Sequence, residues 1–235
     1  MRGSQVIVQI YTMQTVEEAL QAAALGVDYL GVTPSDRGLP GEIDNATARE
    51  IVDALAGKAK RVALSVESDL EAIVTMVDAV RPDVLHLCGD IAQVTPEAVV
   101  RLKAMLAERG LSVQILQAIP MTGPEALDHA AAFEPHVDMF ILDSVAPHIG
   151  GIGAAGVTHD WSVSAEIVRR SKRPVILAGG LSADNVAEAI AQVKPWGVDS
   201  LTRTNRPLPG GGFRKDIERI AAFVDAARAA SPAGQ

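Results

Sequence analysis

The chain has 235 residues, 48% of them hydrophobic, with 20 Gly and 13 Pro, so it can bury a sizeable core and is neither a disordered nor a collagen-like polymer. Its formal net charge of −8 sets it against nucleic-acid phosphates and anionic membrane surfaces, and aromatics at 3% leave few platforms on which bases could stack. One cysteine, Cys88, excludes an internal disulfide framework and any Cys-rich zinc cluster, and suits a reducing cytoplasm.

No run of about 18 apolar residues marks a membrane span, and no long apolar region follows Met1-Arg2-Gly3-Ser4 as a secretory signal would require. Short β-branched runs alternate with Ala-rich amphipathic stretches along the whole chain. Strand 5–11 precedes a helix over 15–25, which opens on the capping-box pattern Thr15-x-x-Glu18 and stops at Gly26. Strand 27–33 and helix 45–56 follow, then strand 61–66 and helix 69–80. Strand 83–87 leads to helix 95–109, where Thr95-Pro96-Glu97 reads as N-cap, N1 proline and first-turn acid. Strand 112–118 is followed by a helix starting near Gly123-Pro124-Glu125. Strand 137–142 runs into a long loop, 143–160, and helix 162–171. Strand 174–178 with helix 182–193, and strand 197–202 with loop 203–212 and helix 213–229, complete the chain.

Eight strand–helix units of this kind, with strands apolar on both faces, predict a closed (β/α)8 TIM barrel. An open doubly wound sheet is the alternative, but no Gly-x-Gly-x-x-Gly follows the first strand. No composition shift marks a boundary, so one domain is expected over 1–235, with an ordered core over about 5–229.

Barrels of this type work at the C-terminal ends of their strands. The polar residues there are Tyr11 and Thr12, the segment from Thr33 to Arg37, Glu67, His86, Gln117, Asp143 and Ser144, and Thr202 with Arg203. Asp143 stands out because it closes the apolar run Met139-Phe140-Ile141-Leu142. Partial burial there would raise its pKa and make it a general acid, although a loop-capping role would use the same side chain. In Leu177-Ala178-Gly179-Gly180-Leu181-Ser182 two glycines let backbone N–H groups approach an anion, and a phosphate is expected at Gly179, Gly180 and Ser182. A tight turn with a serine N-cap is the plainer alternative. Gly150-Gly151-Ile152-Gly153 would wall the same pocket.

His86 has a side chain suited to proton transfer, and Cys88 would be reactive if its thiolate were stabilised. His148 and His159 with Asp143 have the ligand types of a metal site, but no His-x-x-x-His pair supports one, and no metal is expected. The basic run Arg169-Arg170-Ser171-Lys172-Arg173 ends a helix, where cations are favoured electrostatically.

Several segments together resemble the phosphoribosylanthranilate isomerase family. Phe140-Ile141-Leu142-Asp143-Ser144 is similar to its sixth strand. The glycines at 150–153 with Thr158-His159-Asp160-Trp161 resemble its Gly-Gly-Thr-Gly…Phe-Asp-Trp loop. Residues 174–185 and 193–199 resemble its last two units. The resemblance implies a (β/α)8 barrel of the ribulose-phosphate-binding type, an isomerase without cofactor that performs an Amadori aldose–ketose rearrangement in tryptophan biosynthesis. It implies Asp143 as the acid and Arg37 as a substrate contact. Thr202 and Arg203 are read as further substrate contacts, a loop salt bridge from Arg203 to Asp36 or Asp199 being the alternative, and Gly151, Gly153, Gly179, Gly180 and Ser182 are expected around the phosphate.

The chain departs from the family where the catalytic base belongs. The family's strand-one cysteine is replaced by Tyr11, its histidine after strand four by Cys88 with His86 two residues earlier, and its strand-eight Ser-Ser-Gly by Leu201-Thr202-Arg203. Tyr11, His86 and Cys88 therefore stand as candidate bases that spacing does not separate. A paralogue with a shifted substrate or lost catalysis, and a metal-dependent epimerase, are the alternatives. The expected partner is a phosphorylated sugar, with no nucleic acid or membrane, for a cytoplasmic monomer or homodimer.

Overall fold

The computed structural model describes residues 5–145 and 158–231. Eight parallel strands close into a ring: β1 (Ile7–Ile10), β2 (Tyr29–Val32), β3 (Lys60–Ser65), β4 (Val84–Leu87), β5 (Gln114–Pro120), β6 (Met139–Asp143), β7 (Val175–Leu177) and β8 (Gly197–Ser200). Each pairs with the next, and β8 returns to β1 with Ile7 opposite Gly197 and Ile10 opposite Ser200. The expected (β/α)8 barrel is the fold.

The alternation of side chains along each strand builds two cores. Val8, Ile10, Leu30, Leu85, Phe140 and Leu142 point outward and pack beneath the helices. Tyr11, Val62, Val84, Leu116, Met139, Ile141 and Ile176 point inward and fill the barrel. Burial on both faces is why the strands read as continuous apolar runs. Gln117 shares the outward register of Ile115 and Ile119, so this strand-end residue belongs to the outer layer.

The outer ring is α1 (Val16–Ala24), α2 (Asn45–Ala54), α3 (Leu70–Val80), α4 (Pro96–Glu108), α5 (Ala126–Phe133), α6 (Trp161–Arg170), α7 (Val186–Val193) and α8 (Ile217–Ala230). Side chains of Thr15, Asp44, Asp69, Thr95, Asp160 and Asp216 cap six of their N-termini. None of the helices among the described residues is long and apolar enough to cross a membrane.

Two sequence expectations need correction. Helix α7 begins at Val186 rather than 182, because Asn185 folds its side chain back over the preceding turn: its Oδ1 accepts from Ser182 N at 2.8 Å and its Nδ2 donates to the Gly180 carbonyl at 3.2 Å. Helix α8 begins at Ile217 rather than 213. Residues Phe213–Lys215 are instead a strand, β10, paired antiparallel with β9 (Asn205–Pro207). The connection after β8 is thus a short 3-10 turn, Thr202–Thr204, followed by a hairpin.

Candidate active site

At the C-terminal rim the inward residues become polar. Asp143 ends β6, half-buried, with its Oδ1 accepting from Ser144 N at 2.7 Å. Burial, reinforced by the charge of Asp199, pushes its pKa up from 3.8 to about 8. Asp199 lies inside the barrel on β8, 5% exposed, and accepts from Gln9 Nε2 at 3.1 Å. Burial pushes it up to about 7, against the downward pull of the Gln9 hydrogen bond and the Lys215 charge. Two carboxylates that hold protons near neutrality therefore face one space.

That space is a small cleft lined by Asp143, Gly179, Gly180, Asp199, Thr202 and Arg203. Gly179 and Gly180 have φ of +87° and +64°, a backbone that side chains disfavour, so the turn requires both glycines. Ser182 follows the glycines, with its Oγ accepting from Asp184 N. Ser200 Oγ donates to the Leu181 carbonyl at 2.8 Å, which ties this turn to β8. A wider groove at the opposite rim, lined by Val6, Ile190, Pro195 and Trp196 among others, contains no carboxylate among the described residues.

Tyr11 follows β1 and turns into the barrel. Its ring occupies the space above Gly31, where a Cβ would come within 2.1–2.4 Å of three ring carbons. Its hydroxyl shares a 3.1 Å hydrogen bond with His86 Nδ1. Burial, then the charges of Asp199 and Cys88, push the Tyr11 pKa well above 10. Burial pushes His86 down to about 3, so the imidazole is neutral, and its Nε2 has no hydrogen-bond partner among the described residues. Cys88 lies buried in the same inner cluster.

Arg37 stands at the β2 side of the rim, its Nε and Nη2 each 2.5 Å from a carboxylate oxygen of Glu67 beyond β3. His159 bridges Ser144 Oγ at 3.1 Å and Ser164 Oγ at 2.8 Å, so both ring nitrogens are engaged. Gly151, Gly153 and His148 lie outside the described residues. The structure thus gathers Asp143, Gly179, Gly180, Thr202 and Arg203 at one cleft and pairs Tyr11 with His86.

Sequence reasoning passed over Asp199 and Lys215. Asp199 carried a signal, a lone carboxylate within the short strand run at 197–200. Lys215 carried none, since a lysine between Arg214 and Asp216 reads as a charged helix start.

A closed parallel barrel with a paired-glycine turn and two proton-binding carboxylates at one rim defines the class: a (β/α)8 enzyme of acid–base chemistry. The chain matches, over residues 8–226, the family model described as N-(5'-phosphoribosyl)anthranilate (PRA) isomerase, and it belongs to that family. It is 31% identical over 222 residues to N-(5'-phosphoribosyl)anthranilate isomerase 2 of Methanosarcina mazei, covering 94% of this chain and 93% of the relative. It is 34% identical over 223 residues to the isomerase of a Bradyrhizobium species, covering 93% and 92%. Among solved structures, the phosphoribosyl anthranilate isomerase of Thermotoga maritima superimposes with a TM-score of 0.77 at 27% identity, over 95% of this chain and 99% of that one.

Proposed function

We propose that this chain isomerises N-(5'-phosphoribosyl)anthranilate to the corresponding 1-amino-1-deoxyribulose phosphate by an Amadori rearrangement. The observation that carries this is the meeting of Asp143 and Asp199, both with raised pKa, in one cleft with the Gly179–Gly180 turn. Asp143, still protonated near neutral pH, gives its proton to the ribose ring oxygen, and the C1–O bond breaks to leave an iminium. Loss of the C2 proton then gives an enolamine, which tautomerises to the ketone.

The group that takes the C2 proton is Asp199. A base works best when its pKa lies near the working pH. Tyr11 stays protonated and His86 is too weakly basic at about 3. Cys88 is buried among apolar side chains. In this reading Tyr11 and His86 form a neutral pair that shapes the floor, and Cys88 packs beside them.

The phosphate rests on Gly179, Gly180 and Ser182, with Thr202 and Arg203 alongside. Arg37 takes the anthranilate carboxylate by exchanging its fork from Glu67. No cofactor or metal enters the scheme. The enzyme works in the cytoplasm, in tryptophan biosynthesis, as a monomer or homodimer.

One observation favours a second reading, a paralogue with a shifted substrate: the Tyr11 ring fills barrel space where the family carries a cysteine. Two experiments decide. Purified protein is assayed on N-(5'-phosphoribosyl)anthranilate, and the gene is tested for rescue of a tryptophan auxotroph lacking this isomerase. Turnover and growth, both lost in Asp143→Asn, are the expected result. A folded protein with neither overturns the assignment in favour of the paralogue.

A further inference from the structure

The hairpin after β8 buries a cation that the scheme above does not use. Lys215 on β10 is 4% exposed. Its Nζ donates to Asn205 Oδ1 at 2.7 Å, Leu201 O at 3.2 Å and Thr204 Oγ1 at 3.3 Å, and also to the Tyr11 carbonyl. These acceptors outnumber the three protons of an ammonium, and all four are neutral. They come from two places, the end of β1 and the turn leaving β8, so the ammonium bolts the rim where the ring closes.

A bolt alone has no need of charge. Burying a cation against neutral acceptors costs several kcal/mol, and an apolar side chain of similar length would fill the same space. The charge has a receiver in Asp199, which lines the cleft: the ammonium holds the carbonyls of Leu201 and Tyr11, two residues beyond Asp199 and beyond the Gln9 that donates to it, and Lys215 pulls Asp199 downward in pKa. We propose that Lys215 is a positioning residue for this site: its buried ammonium clamps the β8 connection to β1 and keeps Asp199 in the ionised form. This rests on the reading of Asp199 as the group that takes the substrate proton.

The charged groups around Lys215 support the direction. Burial lowers the lysine to about 7, while Asp199 from β8 and Glu18 from α1 raise it. Lys215 and Asp199 thus titrate as a pair, and the ammonium is present on the acidic side, where Asp199 gives up its proton. Glu18 is engaged elsewhere, accepting from Lys215 N and Gln14 N and lying 3.9 Å from Arg214. From α8, Arg219 donates to the Asn205 carbonyl and pairs with Asp216. Asp143, across the cleft on β6, stays protonated up to about 8 and so is neutral where Asp199 ionises. Arg203 lines the same cleft, and Lys215 is the buried cation that draws Asp199 toward ionisation.

The test is the pH dependence of kcat/KM on N-(5'-phosphoribosyl)anthranilate, measured with Tm for the wild type and for Lys215→Met, Asn205→Asp and Asp199→Asn. Without the ammonium, Asp199 ionises at higher pH, so Lys215→Met is expected to move the acidic limb up by about one unit, a tenfold loss below the limb. Asn205→Asp keeps the bolt and adds a carboxylate that offsets the cation. It is expected to move the limb the same way while Tm holds or rises. If the folded variants have acidic limbs superimposable on wild type, Lys215 is a bolt only and the proposal is overturned. Should Lys215→Met not fold, Asn205→Asp decides alone. Asp199→Asn separates the two ideas. A loss of at least about 100-fold with unmoved limbs in the others sinks only the lysine proposal. Wild-type turnover in Asp199→Asn sinks both.

Discussion

Asp143 and Asp199 set the pH dependence that the proposed scheme requires. That scheme needs Asp199 ionised, above about 7, and Asp143 protonated, below about 8. The kcat/KM profile is expected to be a narrow bell between those limits, its two apparent pKa values belonging to the pair. Asp143→Asn removes the alkaline limb and lowers kcat by about 10²–10⁴. The same substitution stabilises. The folded chain holds the Asp143 proton more tightly than the unfolded one, whose value is near 3.8, so the wild-type fold has the full benefit of the neutral carboxyl below about pH 4 and loses it as pH rises through about 8. Asp143→Asn should therefore melt several degrees above wild type at pH 8 and level with it at pH 4. Asp143 was legible in the sequence because it closes four apolar residues at a strand end. Asp199 was visible only as a lone carboxylate within a strand run; that it turns inward follows from the register of β8 against β1, which puts it opposite Gln9. A second side-chain packing claim is open to measurement. Gly31→Ala drives a methyl into the Tyr11 ring and is expected to cost about 1–3 kcal/mol. In a thermal-melt double-mutant cycle with Tyr11→Cys, that cost should vanish.

Elements with strong punctuation were readable, and the connections were not. Helix α4 announces itself with Thr95-Pro96-Glu97, and its observed span follows directly. At α7 the serine at 182 looks like an N-cap, but Asn185 supplies the competing hydrogen bonds and the helix waits for Val186. The hairpin after β8 escaped because its strands are three residues each, too short for a period to show, and because its partners are distant. Gln14 Nε2 donates to the Phe213 carbonyl at 2.9 Å, and Phe213 lies against Gly41. The α7 turn yields a functional prediction. With Asn185→Ala the Gly179–Gly180 backbone loses its brace, so KM for the phosphorylated substrate should rise several-fold while kcat stays near wild type. Unchanged KM in steady-state assays would detach this brace from phosphate binding.

The ring as a whole is closed by few residues. The β1–β8 seam has four register pairs, and each rim of it carries one buried or half-buried cation. At the C-terminal rim this is Lys215. At the N-terminal rim Arg228, from the last turn of α8, donates to the carbonyls of Val6 and Gly26 and to Asp28 Oδ2 at 2.6 Å, and Asp28 in turn accepts from Val8 N at 2.8 Å. One guanidinium thereby joins the last helix to the start of β1 and the approach to β2, 200 to 222 residues away in the chain. Arg228→Met keeps the apolar stem but strands two carbonyls and a carboxylate. Hydrogen bonds to a charged group contribute about 1.5–3 kcal/mol each. Partial resolvation at this half-buried site brings the expected net loss to about 2–3 kcal/mol, a drop of roughly 4–10 °C for a chain of this size. Arg228 is at the rim away from Asp143 and Asp199, so kcat/KM and both pH limbs of the folded variant should match wild type. Calorimetry and pH-rate measurements on the same sample check both halves. A shifted limb would mean that strain at one rim reaches the other, and that the two cations act as one device rather than as independent clasps.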